Sequence, residues 1–487
     1  MMSAPPITVT VETTIHRAWE VLLNFNINAM PVVEGGKIMG VITRQVVSKA
    51  IFHKLGSAQV RDYMTIDFES VTPETSIEKI REKVFMHGQR LLPVCSAQKV
   101  AGVITRTDLL KLLQEELIEK PSLSERVVKD RLLKNVMRER LPDKIYHLLE
   151  EAGRVAESMG FKAYAVGGFV RDLVLRRDNL DIDIVIEGDG IEFAKKFALT
   201  TGARVRSHSR FKTAVMVLPD GAHVDVASTR LEYYDRPGAL PTVELSSLKL
   251  DLYRRDFTVN TLALDLTPSK FGTLMDFFGA LGDIKEKTVR AMHNLSFVED
   301  PIRILRAVRF SERFAFKIAP QTLNHMKNTI KLDIFNGVSG ARLALELKNI
   351  LEEDIVIEAV SKLHSLGVLS QIQPKIKWDA EMAALFSRAR DTLAWYRLLY
   401  TDEQVRVWLV LFLALTDSLK EGELKKLAVR LNITGKKELA IIEGRRAGLK
   451  ALKRIERKPG PAPSAVYHLL KPLPVEVILY LMEKTKD

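Results

Sequence analysis

AYAVGGFVRDLVLRRDNLDIDIVIEG, residues 163–188, is the stretch that decides the fold of this chain. An apolar run ends in a Gly-Gly turn, and thirteen residues after the second glycine a second apolar run opens with Asp181-Ile182-Asp183. Residues i and i+2 of a strand point to the same face, so Asp181 and Asp183 are expected to project two carboxylates side by side. Two like charges at this spacing repel one another unless a cation lies between them.

Paired carboxylates suit Mg²⁺, which takes one or two of them together with substrate phosphates. The alternative for an isolated Asp-x-Asp is a solvated strand end. Gly167 and Gly168 favour the metal interpretation, because backbone N–H groups next to glycine can approach a phosphate closely. Arg171 follows as a cation available to neutralise phosphate charge. The stretch therefore predicts a nucleotide phosphate site with Mg²⁺ held by Asp181 and Asp183.

Composition excludes several other classes of site. The chain has 487 residues, of which 46% are hydrophobic and 28% charged, enough for about three globular domains. The net charge of +12 favours a polyanionic partner. A single cysteine, Cys95, excludes an internal disulfide framework and a multi-cysteine metal site. The longest strongly apolar run, Val407–Leu415, is far shorter than the roughly 20 residues of a membrane span. We expect a cytoplasmic protein without a signal peptide or a membrane partner.

The first third of the chain contains an internal repeat. PVVEGGKIMGVITR at residues 31–44 returns as PVCSAQKVAGVITR at residues 93–106, an offset of 62. Each copy has the pattern of a strand, a tight turn, a second strand and a helix. The repeat predicts two copies of one small α/β unit.

Residues 1–118 resemble a tandem pair of CBS domains. The resemblance implies that the G-x-x-T-x-x-D stretch binds the ribose of an adenosyl nucleotide, and the second copy keeps this stretch with Thr105 and Asp108. The first copy has Val46 where the aspartate would stand. A purely structural pair, or one that forms a homo-oligomer, is the alternative to a nucleotide sensor.

The remainder of the chain changes from mixed to helical patterning. A charged helical connector is predicted at 119–140, and two alternating strands joined by Pro219-Asp220-Gly221 form a predicted hairpin. That hairpin carries Asp225, either a third active-site carboxylate or a polar residue at a strand edge. From about residue 290 onward, amphipathic helical patterns continue to the C-terminus. The predicted fold is multidomain, with α/β units followed by an all-α region.

Four further motifs follow the first in order. They are RRDFTVN (254–260), DFFGALGD (276–283), EDPIRILR (299–306) and SGAR (339–342) with Glu346. Together the five resemble class II tRNA nucleotidyltransferases, the bacterial CCA-, CC- and A-adding enzymes and related poly(A) polymerases. The resemblance implies a catalytic head with a small mixed sheet at 141–290, a helical neck at 291–350, and an all-α body and tail at 351–487.

The family pattern assigns roles to individual residues. Two Mg²⁺ ions would be held by Asp181 and Asp183 for in-line nucleotidyl transfer, with Asp225 as the third catalytic carboxylate. Asp172 is expected to buttress Arg171. The implied nucleotide-binding residues are Gly167, Gly168, Arg171, Arg255 at phosphate, Asp256 at the ribose hydroxyls, Asn260 one helical turn later, Asp300, Arg303 and Arg306.

The fourth motif predicts base selection. A proline early in a helix places Asp300 and Arg303 one turn apart on one face. A carboxylate can accept from an exocyclic amine and a guanidinium can donate to ring acceptors, and both cytosine and adenine offer that combination. The alternative is a helix-capping salt bridge. The Tyr/Pro/Gly-rich segment 231–243 stands where the family has a flexible loop that could close the pocket, or it is a packed surface loop.

A basic run near the C-terminus predicts the RNA interface. Residues 436–458 contain nine Lys or Arg and three Glu. Such a run is commonly a solvated helix face, but a polymerase head needs a polyanionic acceptor, which favours contact with the phosphates of a tRNA acceptor arm. The predicted tRNA-binding residues are Lys436, Lys437, Arg445, Arg446, Lys450, Lys453 and Arg454.

Several functions share these motifs. The prediction is a template-independent enzyme that builds the CCA end of tRNA from CTP, ATP or both, and the alternatives include a poly(A) polymerase. A small-molecule nucleotidyltransferase is disfavoured by the basic helical tail, and a silent CBS scaffold by the intact carboxylates. A CBS pair attached to this kind of polymerase resembles the long forms of the family. Those forms occur where CC addition and A addition are divided between two enzymes. On that ground CC addition is preferred. The long forms often carry a further upstream domain, and the chain is either a fragment of such a protein or a form without that domain.

Overall fold

The structure is a computed structural model that describes residues 2, 4–76, 79, 80, 83, 91–96, 99–105, 108, 131–233, 242–399, 404–457 and 460–485. These residues form two compact units. The first unit takes its residues from Met1–Arg236, Leu240–Glu299 and Lys317–His325, and the second from Asp300–Phe316 and Met326–Asp487. This division splits the predicted neck, 291–350, between the two units. The other predicted domain bounds remain predictions.

The predicted repeat forms one sheet at the N-terminus. Two hairpins with the same register meet in the order β1-β2-β3-β5-β4. Each hairpin has a bulge at the same place in its repeat, at Val32/Val33 and at Val94/Cys95, 62 residues apart. The strands are β1 (Val9–Thr10), β2 (Ala29–Glu34), β3 (Lys37–Thr43), β4 (Leu91–Ser96) and β5 (Lys99–Thr105), and the helices of the first copy are α1 (Ile15–Asn24), α2 (Arg44–Phe52) and α3 (Val60–Tyr63). The helix predicted to follow β5 in the second repeat lies outside the described residues, apart from Asp108.

A mixed sheet follows in the order β6-β15-β14-β7-β8-β11-β10-β9. Its strands are β6 (Arg131–Leu132), β7 (Lys162–Val166), β8 (Ile182–Glu187), β9 (Arg204–His208), β10 (Thr213–Val217), β11 (His223–Ser228), β14 (Ala263–Asp265) and β15 (Thr273–Met275). The predicted hairpin is confirmed as β10 and β11, with Gly221 in the left-handed region at φ +86°. β8 and β11 pair in parallel at the centre of the sheet.

Helices and two small two-stranded ladders complete this part of the first unit. They are α4 (Lys134–Arg140), α5 (Asp143–Ser158), α6 (Gly168–Val174), α7 (Gly190–Thr201), β12 (Arg230–Tyr233), β13 (Thr242–Leu245), α8 (Leu248–Tyr253), α9 (Ala280–Lys285), β16 (Thr288–Val289), α10 (Ser296–Glu299) and β17 (Lys317–Ile318). Residues 234–241 of the predicted loop lie outside the described residues. The connector is not helical throughout, because residues 131–132 pair with β15 as strand β6.

The second unit is helical, as predicted. In chain order come α11 (Ile302–Phe314), α12 (Pro320–Lys331), α13 (Gly340–Leu351), α14 (Val356–Ser365), α15 (Val368–Ile372), α16 (Ala380–Arg397), α17 (Val407–Leu415), α18 (Glu421–Arg430), α19 (Lys436–Ile455), α20 (Pro463–Leu470) and α21 (Val475–Lys484). The first part of α12, up to His325, belongs to the first unit. The apolar helix α17 is buried from Leu409 to Leu415 and forms part of the core. Within the described ranges, we find no helix with the length and apolar character of a membrane span.

Candidate active site

The Gly-Gly turn joins β7 to α6 and brings two motifs together. Gly167 has φ +71° and ψ −133°, a conformation that side chains rarely adopt. A Cβ at this position would lie 2.7 Å from Nη1 of Arg255 and 3.4 Å from Oδ2 of Asp183. The turn therefore passes between a guanidinium and a carboxylate, and glycine leaves the space between them open.

Three predicted carboxylates meet at the adjoining strands. Asp183 on β8 is the register partner of Asp225 on β11, and Asp181 immediately precedes β8. Burial raises the pKa of Asp183 to about 6, helped by the negative charges of Asp181 and Asp225 and opposed by Arg255. Burial and the charge of Asp181 also raise the pKa of Asp225. The predicted clustering of these groups is confirmed.

The donor set fits a magnesium ion that shares its coordination with a substrate. Among the residues that the structure describes, no group of three His, Cys, Asp or Glu side chains is arranged to hold an ion by itself. Mg²⁺ commonly binds through one or two carboxylates plus phosphate oxygens. Asp181 and Asp183 supply such a pair. The pKa of Asp183 is raised by burial and then by the nearby negative charges of Asp181 and Asp225, and a bound cation would offset both effects.

Arg171 is held inside the protein. Its Nε and Nη2 each donate to a different oxygen of Asp172 at 2.9 Å, and its Nη1 donates to Oδ1 of Asn260 at 2.5 Å. The Arg171 and Asp172 side chains are only 5% and 3% exposed. Asp172 thus lies where predicted, against Arg171. Arg171 itself differs from the prediction, because a buried guanidinium in this position orders the turn and Asn260 rather than presenting itself to a phosphate.

Asn260 and Asp256 contact each other but do not share a helix, contrary to prediction. Helix α8 ends at Tyr253, because Phe257 is extended (φ −131°, ψ 150°) and bridges to Ala291. The chain then returns through a 3₁₀ turn, and Nδ2 of Asn260 donates to Oδ1 of Asp256 at 2.9 Å. The two residues that the family pattern assigns to the nucleotide are therefore linked to Arg171 in one buried network.

Asn179 is a further residue of the site that the sequence motifs did not predict. Its Nδ2 donates to Asp172 at 2.7 Å, and its Oδ1 accepts from the backbone N–H of Asp181 at 2.9 Å. The signal available was local, since asparagine commonly accepts from the backbone two residues further on. This contact ties the first carboxylate of the pair to the Arg171–Asp172 network.

The third motif serves the framework. Asp276 accepts from the N–H groups of Ala280 and Leu281 at 2.9 Å each, at the start of α9. Asp283 accepts from Thr258 at 2.6 Å and from Arg290 at 3.1 Å. Asp276 thus fixes the start of α9, while Asp283 on α9 ties the turn that carries Asn260 to Arg290.

From Asp300 onward the fourth motif lies in the second unit and has the predicted geometry, whereas Glu299 belongs to the first unit. Asp300 accepts from the N–H of Ile302 at 3.3 Å at the start of α11, and its Oδ2 lies 4.0 Å from Nε of Arg303. Arg342 of the fifth motif donates to the same carboxylate at 2.6 Å. Glu346 lies 3.7 Å from Nη1 of Arg306. The fourth and fifth motifs are therefore joined by ion pairs within one unit.

The predicted CBS residues contact each other. Oδ2 of Asp108 accepts from the N–H of Thr105 at 2.8 Å and from its hydroxyl at 2.6 Å. In the first repeat, the N–H of Val46 donates to the hydroxyl of Thr43 at 3.4 Å. In the second repeat the threonine is therefore held by an aspartate side chain, whereas in the first repeat it is held by a backbone N–H group.

The basic run forms α19, with one correction. Arg445 is buried and donates to the carbonyl oxygens of Thr416, at 2.7 Å, and Leu419, so it is part of the core rather than an RNA-binding residue. The other predicted side chains are exposed and are here termed the basic face: Lys436, Lys437, Arg446, Lys450, Lys453 and Arg454. A groove of about 440 Å³ is lined by Arg446, Lys450 and Lys453 together with Lys420.

Comparisons with known proteins agree with the motifs. Residues 163–290 match the poly A polymerase head domain, and residues 1–53 and 60–115 match the CBS domain. The A-adding tRNA nucleotidyltransferase of Geobacter sulfurreducens is 43% identical over 100% of this chain and 56% of its own length. The corresponding protein of Aquifex aeolicus is 32% identical over 99% of this chain and 57% of its own. The chain thus spans just over half the length of these relatives.

A solved structure extends the likeness to the fold. The Thermotoga maritima CCA-adding enzyme complexed with tRNA is 31% identical, with a TM-score of 0.60, over 73% of this chain and 82% of that one. Sequence motifs, head geometry and fold therefore agree. The chain belongs to the family of tRNA nucleotidyltransferases and poly(A) polymerases, with a pair of CBS domains ahead of the polymerase head.

Proposed function

We propose that the chain adds nucleotides to the 3′ end of tRNA without a template. The observation that carries the proposal is the meeting of Asp181, Asp183 and Asp225 beside the Gly167 turn and Arg255. In the reaction, the terminal 3′-hydroxyl oxygen forms a bond to the α-phosphorus, the bond to the β-phosphate breaks and pyrophosphate leaves. This clustered negative charge beside an open turn is what such a displacement requires.

Each residue of the head has a proposed role. Asp181 and Asp183 would hold two Mg²⁺ ions, which, when bound, neutralise the triphosphate and favour ionisation of the 3′-hydroxyl. Asp225, whose pKa is raised, is suited to accept the proton that the hydroxyl loses. Arg255 faces the turn and would contact the phosphates. Asp256, fixed by Asn260, would accept from a ribose hydroxyl.

Base selection is proposed for the fourth motif. Asp300 would accept from an exocyclic amine, while Arg303 would donate to a ring acceptor. Arg342 holds the Asp300 carboxylate at 2.6 Å, so its orientation is set by an ion pair within the second unit. Arg306, near Glu346, would take part in the same recognition. A site that hydrogen-bonds its correct base leaves these groups unpaired with uracil or guanine, which supports discrimination.

The nucleotide added is proposed to be A. The Geobacter sulfurreducens and Aquifex aeolicus relatives match this chain over 100% and 99% of its length, CBS pair included, and both are named as A-adding. The prediction of CC addition rested on the CBS pair alone and is not confirmed. For the acceptor, we propose that the basic face contacts tRNA phosphates. Binding of an adenosyl nucleotide near Thr105 and Asp108, and a homo-oligomer formed through the CBS pair, remain predictions.

One experiment tests both the reaction and the nucleotide. tRNA transcripts ending at the discriminator base, at C or at CC are incubated with the protein, Mg²⁺ and each labelled NTP in turn. We expect one A to be added to the transcript ending in CC. Addition of C to the shorter transcripts would refute A addition, and modification of none of them would refute the proposed function.

The carboxylates are tested in the same assay. Asp181→Asn and Asp183→Asn should each abolish transfer, because each removes one negative charge from the pair that would hold the ions. The control is Asp220→Asn, an exposed residue at the tip of the β10–β11 hairpin, which should retain full activity. Near-normal turnover in either active-site variant would contradict the two-ion assignment.

A further inference from the structure

The core of the first CBS repeat is closed by residues that follow the polymerase head in the chain. Leu295 and Val298 are each 1% exposed and belong to the same buried cluster as Ile15, Met30 and Val47 of the repeat. Burying apolar side chains in this way stabilises by about 25 cal/mol per Å² removed from water. The segment just before Asp300 is therefore part of the CBS fold rather than a free linker.

Polar contacts fasten the same segment to the repeat. Nδ2 of Asn294 donates to the carbonyl oxygen of Tyr63 at 2.6 Å and lies 3.2 Å from the hydroxyl of Thr65. Arg290 forms an ion pair with Asp67. Both contacts hold the chain on the N-terminal side of Leu295, and their partners, residues 63–67, lie at the end of the first repeat and in the segment that follows it.

Glu299 forms the last of these links, one residue before the base-reading motif. Its Oε1 accepts from Nζ of Lys49 on α2 at 2.7 Å, and its Oε2 lies 3.2 Å from Nε2 of His293. The Glu299 side chain is 10% exposed and that of Lys49 36%. His293 in turn stacks on Tyr253, with ring centroids 5.7 Å apart, next to the Arg254-Arg255-Asp256 motif. A carboxylate this buried is held firmly only while Lys49 and His293 both remain, since an unpaired buried charge is strongly unfavourable.

We propose that Lys49 of the first CBS repeat is a positioning residue for nucleotide selection, acting through Glu299 on the neighbouring Asp300. The inference rests on the proposed function, because it takes Asp300 as a base-reading group. Glu299 is joined to Asp300 by a peptide bond, so the ion pair with Lys49 fixes the backbone from which the Asp300 side chain starts, while Arg342 orients its carboxylate. Displacements of about 1 Å are enough to lose productive geometry in a site of this kind.

The test compares nucleotide selectivity in variants of the full chain. The quantity measured is kcat/KM for ATP divided by kcat/KM for GTP on tRNA ending in CC, a ratio that does not depend on the fraction of protein that is folded. Lys49→Met should lower this ratio by about fivefold or more, the effect of losing a charge-assisted contact that couples two groups. Lys49→Arg keeps the charge and should restore it. Lys54→Met is the matched control, because Lys54 is exposed just beyond the end of the same helix.

A double variant separates action through Glu299 from a general effect. If Lys49 acts through Glu299, Lys49→Met combined with Glu299→Gln should give the same ratio as Glu299→Gln alone. An unchanged ratio in Lys49→Met, with only the melting temperature or total rate lowered, would overturn the inference and leave a structural salt bridge. Independent, multiplying effects in the double variant would also overturn it. Wild-type protein that adds no nucleotide would instead refute the proposed function, and the inference with it.

Discussion

Removing the carboxylate of Asp172 is expected to destabilise the polymerase head, although the predicted metal ligands Asp181 and Asp183 are unchanged. Asp172 receives both Nε and Nη2 of Arg171 at 2.9 Å and also Nδ2 of Asn179 at 2.7 Å. The Arg171 and Asp172 side chains are 5% and 3% exposed, so solvent cannot replace the lost contacts. Asp172→Ala would leave a buried guanidinium without the carboxylate that accepts from both its Nε and its Nη2.

The expected loss in the free energy of unfolding follows from this burial. Breaking a buried ion pair by removing one partner typically destabilises by about 3–5 kcal/mol, because the remaining charge stays out of water. Asp172→Asn retains one oxygen acceptor and should lose less, about 2 kcal/mol, near the value of a hydrogen bond to a charged group. The order of the two variants is thus part of the prediction.

Native-state hydrogen exchange measures the effect where it occurs. The amides of β8, Ile182–Glu187, report the free energy of opening of the sheet beside the site, without assuming that the whole chain unfolds in one step. Asp178→Ala is the matched control, since Asp178 pairs with Arg140 at 3.0 Å but is 91% exposed; it should leave β8 unchanged. A loss in Asp172→Ala below about 1 kcal/mol, or equal to that of the control, would refute the reasoning.

Three further predictions concern the second unit. Burial raises the pKa of Glu483 to about 8. Between its ordinary pKa and pH 8 the unfolded chain has released a proton that the folded chain keeps, so the free energy of unfolding falls as pH rises. Glu483→Gln should flatten this pH dependence in urea unfolding and raise the free energy of unfolding by about 3 kcal/mol at pH 7. Gly340→Ala should lower the melting temperature, because its Cβ would lie 1.8 Å from the carbonyl oxygen of Arg430, whereas Gly422→Ala, with open space around it, should raise it slightly. The basic face is tested by glutamine at three of its cations, Lys450, Lys453 and Arg454. tRNA binding should weaken and its log–log salt slope should flatten by roughly 2–3, with ATP selectivity unchanged; an unchanged slope would exclude phosphate contacts.

Local patterns predicted the polymerase head well, because its chemistry depends on alternation and turns. The period of two along a strand was enough to place Asp181 and Asp183 together, and the Pro-Asp-Gly turn was enough to predict the hairpin that carries Asp225. The parallel pairing of β11 with β8, which puts Asp225 opposite Asp183, depends on tertiary structure. The pattern did not reveal that α8 ends at Tyr253, since the break depends on the pairing of Phe257 with Ala291, a partner distant in sequence. Periodicity therefore identified the carboxylates, and tertiary pairing decided the backbone around Asn260.

The error at Arg445 had a signal in the sequence. Helix α19 buries Ile441, Arg445, Gly448 and Leu452, which follow the spacing i, i+4, i+7 and i+11 of one helical face. A count of charges over residues 436–458 does not reveal this face, because it treats every arginine as a surface cation. Gly448 lies on the same buried face. A Cβ there would lie 2.7 Å from Val477 on α21, so the close packing of α19 and α21 requires a glycine.

The contact between Lys49 and Glu299 had no such signal. The two residues are 250 positions apart, and each taken alone looks like an ordinary charged residue of an amphipathic helix. Only the fold shows that the apolar residues just before Asp300 complete the core of the first repeat. A substitution in that core, far from any motif in the sequence, is therefore expected to change nucleotide selectivity, whereas substitutions on the exposed face of the same repeat are not. Comparing these two classes of variant in the ATP and GTP assay would separate a CBS pair that supports the base-reading motif from one that is merely attached to the polymerase.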